Sequence, residues 1–145
     1  MPITNLLGAE SLIKDLLDPM FKIDMVFVEA NAEEINQELF EAIDYDGDKV
    51  AAVILNGGYQ TDPPVGQGRT QRIKTLWQVA IVCPKNLRDI GGTKAIEVFK
   101  TLSGQRLSGE FDYMKAVSDE RGFNRPDYVI DLVYIPMMFS VGTVI

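Results

Sequence analysis

Three stretches of this sequence place reactive groups close enough together to do chemistry. Asp89-Ile-Gly-Gly-Thr-Lys94 offers two glycines through which backbone N–H groups could approach an anion, beside a lysine and a hydroxyl. Asp44-Tyr-Asp-Gly-Asp48 sets carboxylates at alternate positions, as loops that wrap a hard cation do. The pairs Glu33/Glu34 and Asp119/Glu120 bring two acids together, the arrangement general acid–base catalysis uses when the environment splits their pKa values. The cation reading fails on spacing: the glycine is fourth rather than sixth, and the twelfth position is Leu55, so this stretch reads as a turn. The acid pairs lie in charged settings where nothing would separate their titrations. The chain has no histidine, the commonest general base and metal ligand, and its one cysteine, Cys83, can form neither a Cys–His pair nor a zinc cluster. The sequence therefore reads as an assembly protein and not an enzyme, with no cofactor and no metal.

The glycine turn needs its own test. It is similar to the phosphate loop of the sugar kinases that share the actin fold, in which the loop joins two strands. Here an amphipathic pattern follows the glycines, and the chain is far shorter than such a kinase. Lys85 to Gly92 reads as a connector, Thr93 as an N-cap, and Ala95, Ile96, Phe99 and Leu102 as the buried stripe of a helix that Gly104 closes in the left-handed region.

The elements that would position these groups centre on Ile73 to Pro84. Alternation there begins with one wet face (Lys74, Gln78) and ends apolar on both, which predicts a strand in the middle of a sheet with Trp77, Val79 and Ile81 in the core. Before it, Thr4–Asp18 carries one apolar stripe (Leu6, Ala9, Leu12, Ile13, Leu16, Leu17) and stops at Pro19, the pattern of a helix. Phe21–Glu29 alternates as a strand, and Asn31 with Glu34 forms a capping box for an acidic helix. Val50–Leu55 is a short strand buried on both faces. Residues 56–71, with four glycines and two prolines, read as a long irregular hairpin loop, suited to reaching a partner. Residues 105–126 are polar and turn-rich around Leu107, Phe111, Tyr113, Met114, Ala116 and Val117, and either a strand or a short helix fits them. Asp127–Ile135 alternates again, with Leu132 in the core. Pro136 removes a ladder donor and marks an edge or bulge, and the uncharged stretch 137–145 must be covered by this domain or a neighbour.

Composition bounds the rest. At 145 residues and 46% hydrophobic, the expectation is one domain with a core that needs no disulfide or metal. The first twenty residues carry acids and Pro19, unlike a secretory signal, and the longest apolar run is broken by Asp131 and Pro136, so a soluble protein made in the cytoplasm is expected. Charge is split: residues 1–48 hold twelve acids and two bases, whereas residues 49–145 hold nine acids and twelve bases. Residues 29–48 alone have eight acids and no base, a face that repels phosphate and argues against reading nucleic acid.

Taken together, Ala52-Val-Ile-Leu-Asn-Gly-Gly58, Leu76-Trp-Gln-Val-Ala-Ile-Val82, the helix from Lys94 to its Leu102-Ser-Gly-Gln-Arg-Leu107 ending, and the Tyr128–Tyr134 strand fall in an order that resembles the tail terminator (tail completion) proteins of tailed bacteriophages, in the Mu-like, contractile-tail branch. The resemblance implies an α+β fold, a mostly antiparallel sheet with helices packed against it. It implies a homo-hexameric ring in the virion that caps the head-proximal end of the tail tube. The ring stops tube growth and meets the neck or head-completion protein and, in contractile tails, the sheath. On this reading the partner interface falls on Tyr59, Gln60, Val65, Arg69 and Arg72 of the loop and on Met137, Met138 and Phe139 of the apolar stretch. Glu33, Glu34, Glu38 and Glu41 form an acidic face, which in the lumen would keep passing DNA from sticking.

Overall fold

The computed structural model describes residues 5–21, 25–28, 50–61, 71–117, 126–129 and 132–144. Among the described residues two helices pack on a six-stranded, mostly antiparallel open sheet, which is the expected α+β fold. In chain order the elements are α1 (Gly8–Leu17), a 3-10 turn (Asp18–Met20), β1 (Val26–Val28), β2 (Ala51–Thr61) and β3 (Arg72–Pro84). A second 3-10 turn (Lys85–Leu87) leads into α2 (Arg88–Leu102), followed by β4 (Lys115–Val117), β5 (Asp127–Val129) and β6 (Leu132–Val144). The strands lie in the order β1-β2-β3-β6-β4, with β5 also on β6, and only β1 runs parallel to its neighbour.

The Ile73–Pro84 stretch is the sheet's centre, as its alternation requires. β3 pairs with β6 along the full length of both strands, from Arg72↔Val144 to Pro84↔Leu132, and with β2 on its other side. From Val79 to Cys83 it is buried on both faces. Trp77, Val79 and Ile81 project toward the helices and join Phe139 and Val141 of β6 under Ile13 and Leu17 of α1 and Ala95, Val98 and Leu102 of α2. A second cluster lies on the opposite face at one end of the sheet, formed by Met25, Phe27, Ala51, Val53, Val82 and Leu132. The hydrogen of the Trp77 indole is not wasted: Nε1 donates to Thr75 Oγ1 (3.0 Å) within the core.

Several expectations change. The strand expected to end at Leu55 continues to Thr61, because Asn56-Gly57-Gly58 is a bulge and not the start of a loop. Gly58 takes φ +91°, open to glycine at little cost, and its N–H donates to Asn56 Oδ1 (2.8 Å), so the ladder resumes at Tyr59↔Thr75. The α2 stripe is also rotated from the one expected. Gly91, Ala95, Val98 and Leu102 are buried, whereas Ile96 and Phe99 are 57% and 41% exposed. Small residues let the helix axis approach the sheet, so the stripe follows the smallest side chains and leaves two large ones at its flank; the Phe99 ring reaches back only to Phe139, 6.0 Å away. Finally, residues 85–92 are not a connector and Thr93 is not a cap. The 3-10 turn runs straight into α2 at Arg88 without a capping side chain, and Thr93 Oγ1 donates to Asp89 O (3.0 Å) inside the helix.

The segment after α2, which the sequence leaves open, is an edge. Gly104 ends the helix at φ +77°, and its N–H donates to Met114 O. Phe111 and Met114 enter the core, Phe111 bridges Thr143, and β4 then pairs with β6 at 138–140. The stretch 127–135, expected as one alternating strand, is instead two: β5 folds back antiparallel on the same edge of β6 at 132–134. Pro136, which has no N–H to give, sits between those two short partners and faces Ala80 on the β3 side.

Candidate functional site

The Asp89–Lys94 turn loses its chemistry once its place is known. Gly91 is buried where α2 touches β3, and a Cβ there would collide with Cys83 Sγ. The glycine thus serves close packing. Lys94 Nζ donates to Met20 O (2.8 Å), lies 5.4 Å from the Phe21 ring centroid and pairs with Glu97 at 3.2 Å. Gly91 is thus spent on packing against β3, Thr93 on a bond within the helix, and Lys94 on joining α2 to the turn after α1. Cys83 is a free, fully buried thiol, and burial pushes its pKa up, which keeps it protonated and unreactive at neutral pH.

Among the described residues no cluster of acids and cysteine could hold a metal, and no buried side-chain nitrogen or oxygen lacks a hydrogen-bond partner. Asp44–Asp48 lies outside the described residues, as do Glu33, Glu34, Glu38, Glu41, Val65, Arg69 and the Asp119/Glu120 pair.

The interface residues that are described do not form one patch. Tyr59 is 58% exposed just past the bulge, on the strand side facing Thr75, with Gln60 exposed beside it. Met137 pairs with Val79 and packs against the helix-side core; Met138, one residue on, points to the other face opposite Gln78. Phe139 is wholly buried and stands opposite Trp77, so it is core and not interface. Alternation along a strand decides this, because three consecutive residues cannot share a face. Arg72 is exposed and pairs with Asp112 (3.1 Å).

What the structure adds is a flat sheet face away from the helices. Gly57 lies against Leu76 and Met138, where a Cβ would sit 3.1 Å from Leu76 Cβ and 3.2 Å from Met138 Cε. Val117 stands opposite Met138 on β4, and Leu55 opposite Gln78 on β2. Lys74, opposite Gly142, and Lys115, opposite Ser140, edge this surface. The polar half of the β3 alternation was the signal for it in the sequence; its extension onto β4 was not visible there.

No protein-family model matches the chain, and no curated protein matches it. Among solved structures it is similar in fold to a chain of the virion of a native gene transfer agent particle. The TM-score is 0.51 at 11% identity, over 95% of this chain and 88% of that one.

Proposed function

We propose that this chain is a structural protein of a phage-like virion, and that within it the protein terminates the tail. Six copies would form a ring on the head-proximal end of the tail tube, block its growing face and present the surface that joins the neck. The observation that carries the reading is the fold likeness to a gene transfer agent virion chain over nearly the whole of both chains. The order of elements resembling tail terminators supports the finer assignment. So does the disposition of candidate chemistry, since the glycine turn is packed into α2 and the cysteine is buried. The protein acts on this reading by occupying surfaces, not by catalysis.

Deleting the gene and imaging the particles tests it. Overlong or uneven tails separated from full heads are the expected result. Tails of normal length that lack heads would move the protein to head completion in the neck, and short or absent tubes would make it a tube subunit. Normal particles would remove a virion role.

A further inference from the structure

On the face of the sheet away from the helices, apolar side chains make the centre and cations the rim. Leu55, Leu76, Pro136, Met138 and Val117 are each half-buried there, and Gly57 keeps the surface level between Leu76 and Met138. At the rim Lys74 and Lys115 are exposed on either side of β6, one opposite Gly142 and the other opposite Ser140. Among the described residues neither lysine's ammonium group has an ion pair or a hydrogen bond. The carboxylate lying over Gly142, that of Asp112, is already engaged by Arg72 at 3.1 Å. Among the described residues, the face around Leu76 and Met138 is therefore an apolar patch edged by unpaired positive charge, with Asp127 at its far end opposite Tyr134.

The charge decides what fits. Two copies meeting face to face would bring like charges together. Nucleic acid needs many cations and little apolar surface, and the whole chain carries a net charge of −7. A protein surface with apolar side chains at its centre and carboxylates around them complements both features. We propose that this face, centred on Leu76 and Met138 and edged by Lys74 and Lys115, docks such an acidic surface on another virion protein. The inference rests on the virion role proposed above.

The test uses tails prepared from particles lacking this protein, to which purified full-length protein is added back. Attachment is counted by electron microscopy at low and high salt, beside thermal melts, light scattering and a duplex-DNA binding assay. The double variant Lys74→Glu/Lys115→Glu is expected to fold and keep its oligomeric state, yet attach about tenfold less well at low salt, with the gap narrowing at high salt. Lys74→Arg/Lys115→Arg retains attachment, and Lys100→Glu, exposed on α2, is unchanged. Attachment of the double-Glu variant at the wild-type level overturns the proposal while leaving the virion role intact. A changed oligomeric state would make the face a contact between copies, and lost DNA binding would make it a nucleic-acid surface; either result also overturns it. Failure of the wild-type protein to attach removes the proposed role and this docking surface with it.

Discussion

The two faces of β3 and β6 are built from the same two strands and do opposite jobs. Toward the helices, Trp77 and Phe139 stand opposite each other with no exposed surface, flanked by Val79 and Val141. Away from them, Gln78 and Met138 stand opposite each other and are only half-buried, with Lys74 exposed four residues along the same strand. One face is closed by α1 and α2 and holds the fold together. The other has its own buried cluster at one end, and around Leu76 and Met138 it combines apolar and charged groups that are half-buried or exposed and so are free to serve recognition. Period-two alternation lets a single strand carry both tasks without compromise between them.

The sharpest way to break this comparison is Trp77→Ala. It removes the largest buried side chain of the helix face and its hydrogen bond to Thr75, and should cost about 3–5 kcal/mol in denaturant unfolding. A loss no larger than that of a surface substitution would mean that the helix face is not the core. Gly91→Ala comes next. The new methyl meets Cys83 Sγ, so α2 must lift from the sheet, and about 1–3 kcal/mol of overpacking should exceed the gain in helix propensity. A stabilised Gly91→Ala protein would show that the glycine is there for another reason.

The smallest expected effect is a titration on each face. Burial raises the thiol of Cys83, on the helix face, above its usual 9.0. Burial first, and then the charge of Asp127, raises the phenol of Tyr134 above 10.0 on the other face. In both cases the unfolded chain releases its proton before the folded one. Stability is therefore complete below about pH 9 and declines as pH rises through the folded-state values. Midpoints of denaturant unfolding measured against pH should fall in the alkaline range, with Cys83→Ala removing the earlier part of the decline and Tyr134→Phe the later. Unaltered slopes in both variants would show that neither group is shielded as described.

How far the sequence could be read depended on how each element meets its neighbours. β3 was legible because its burial pattern is written in alternation, and Trp77, Val79, Ile81 and Leu132 all lie in the core. α1 was legible because Ala9, Ile13 and Leu17 repeat every four residues on one stripe. The phase of α2 was not, since a helix that must come close to a sheet buries Gly91 and Ala95 and leaves Ile96 at its flank, against any rule that sends the largest side chains inward. The extension of β2 was hidden by Gly57 and Gly58, which look like a loop until Asn56 is seen holding the bulge closed. The docking face escaped notice for a different reason: Lys74 and Lys115 come from separate strands, and only the register of β6 places them on one rim.

The position of β6 also sets a timetable. The two paired strands at the heart of the sheet, β3 and β6, are separated in the chain, with α2 and the whole β4/β5 edge made between them. During synthesis β3 emerges with one side unpaired and its Trp77 side uncovered, and it stays so until residues 132–144 follow. A chain interrupted before β6 lacks Phe139 and Val141 and leaves one edge of β3 open, so closure of the helix-side core waits on residues 132–144.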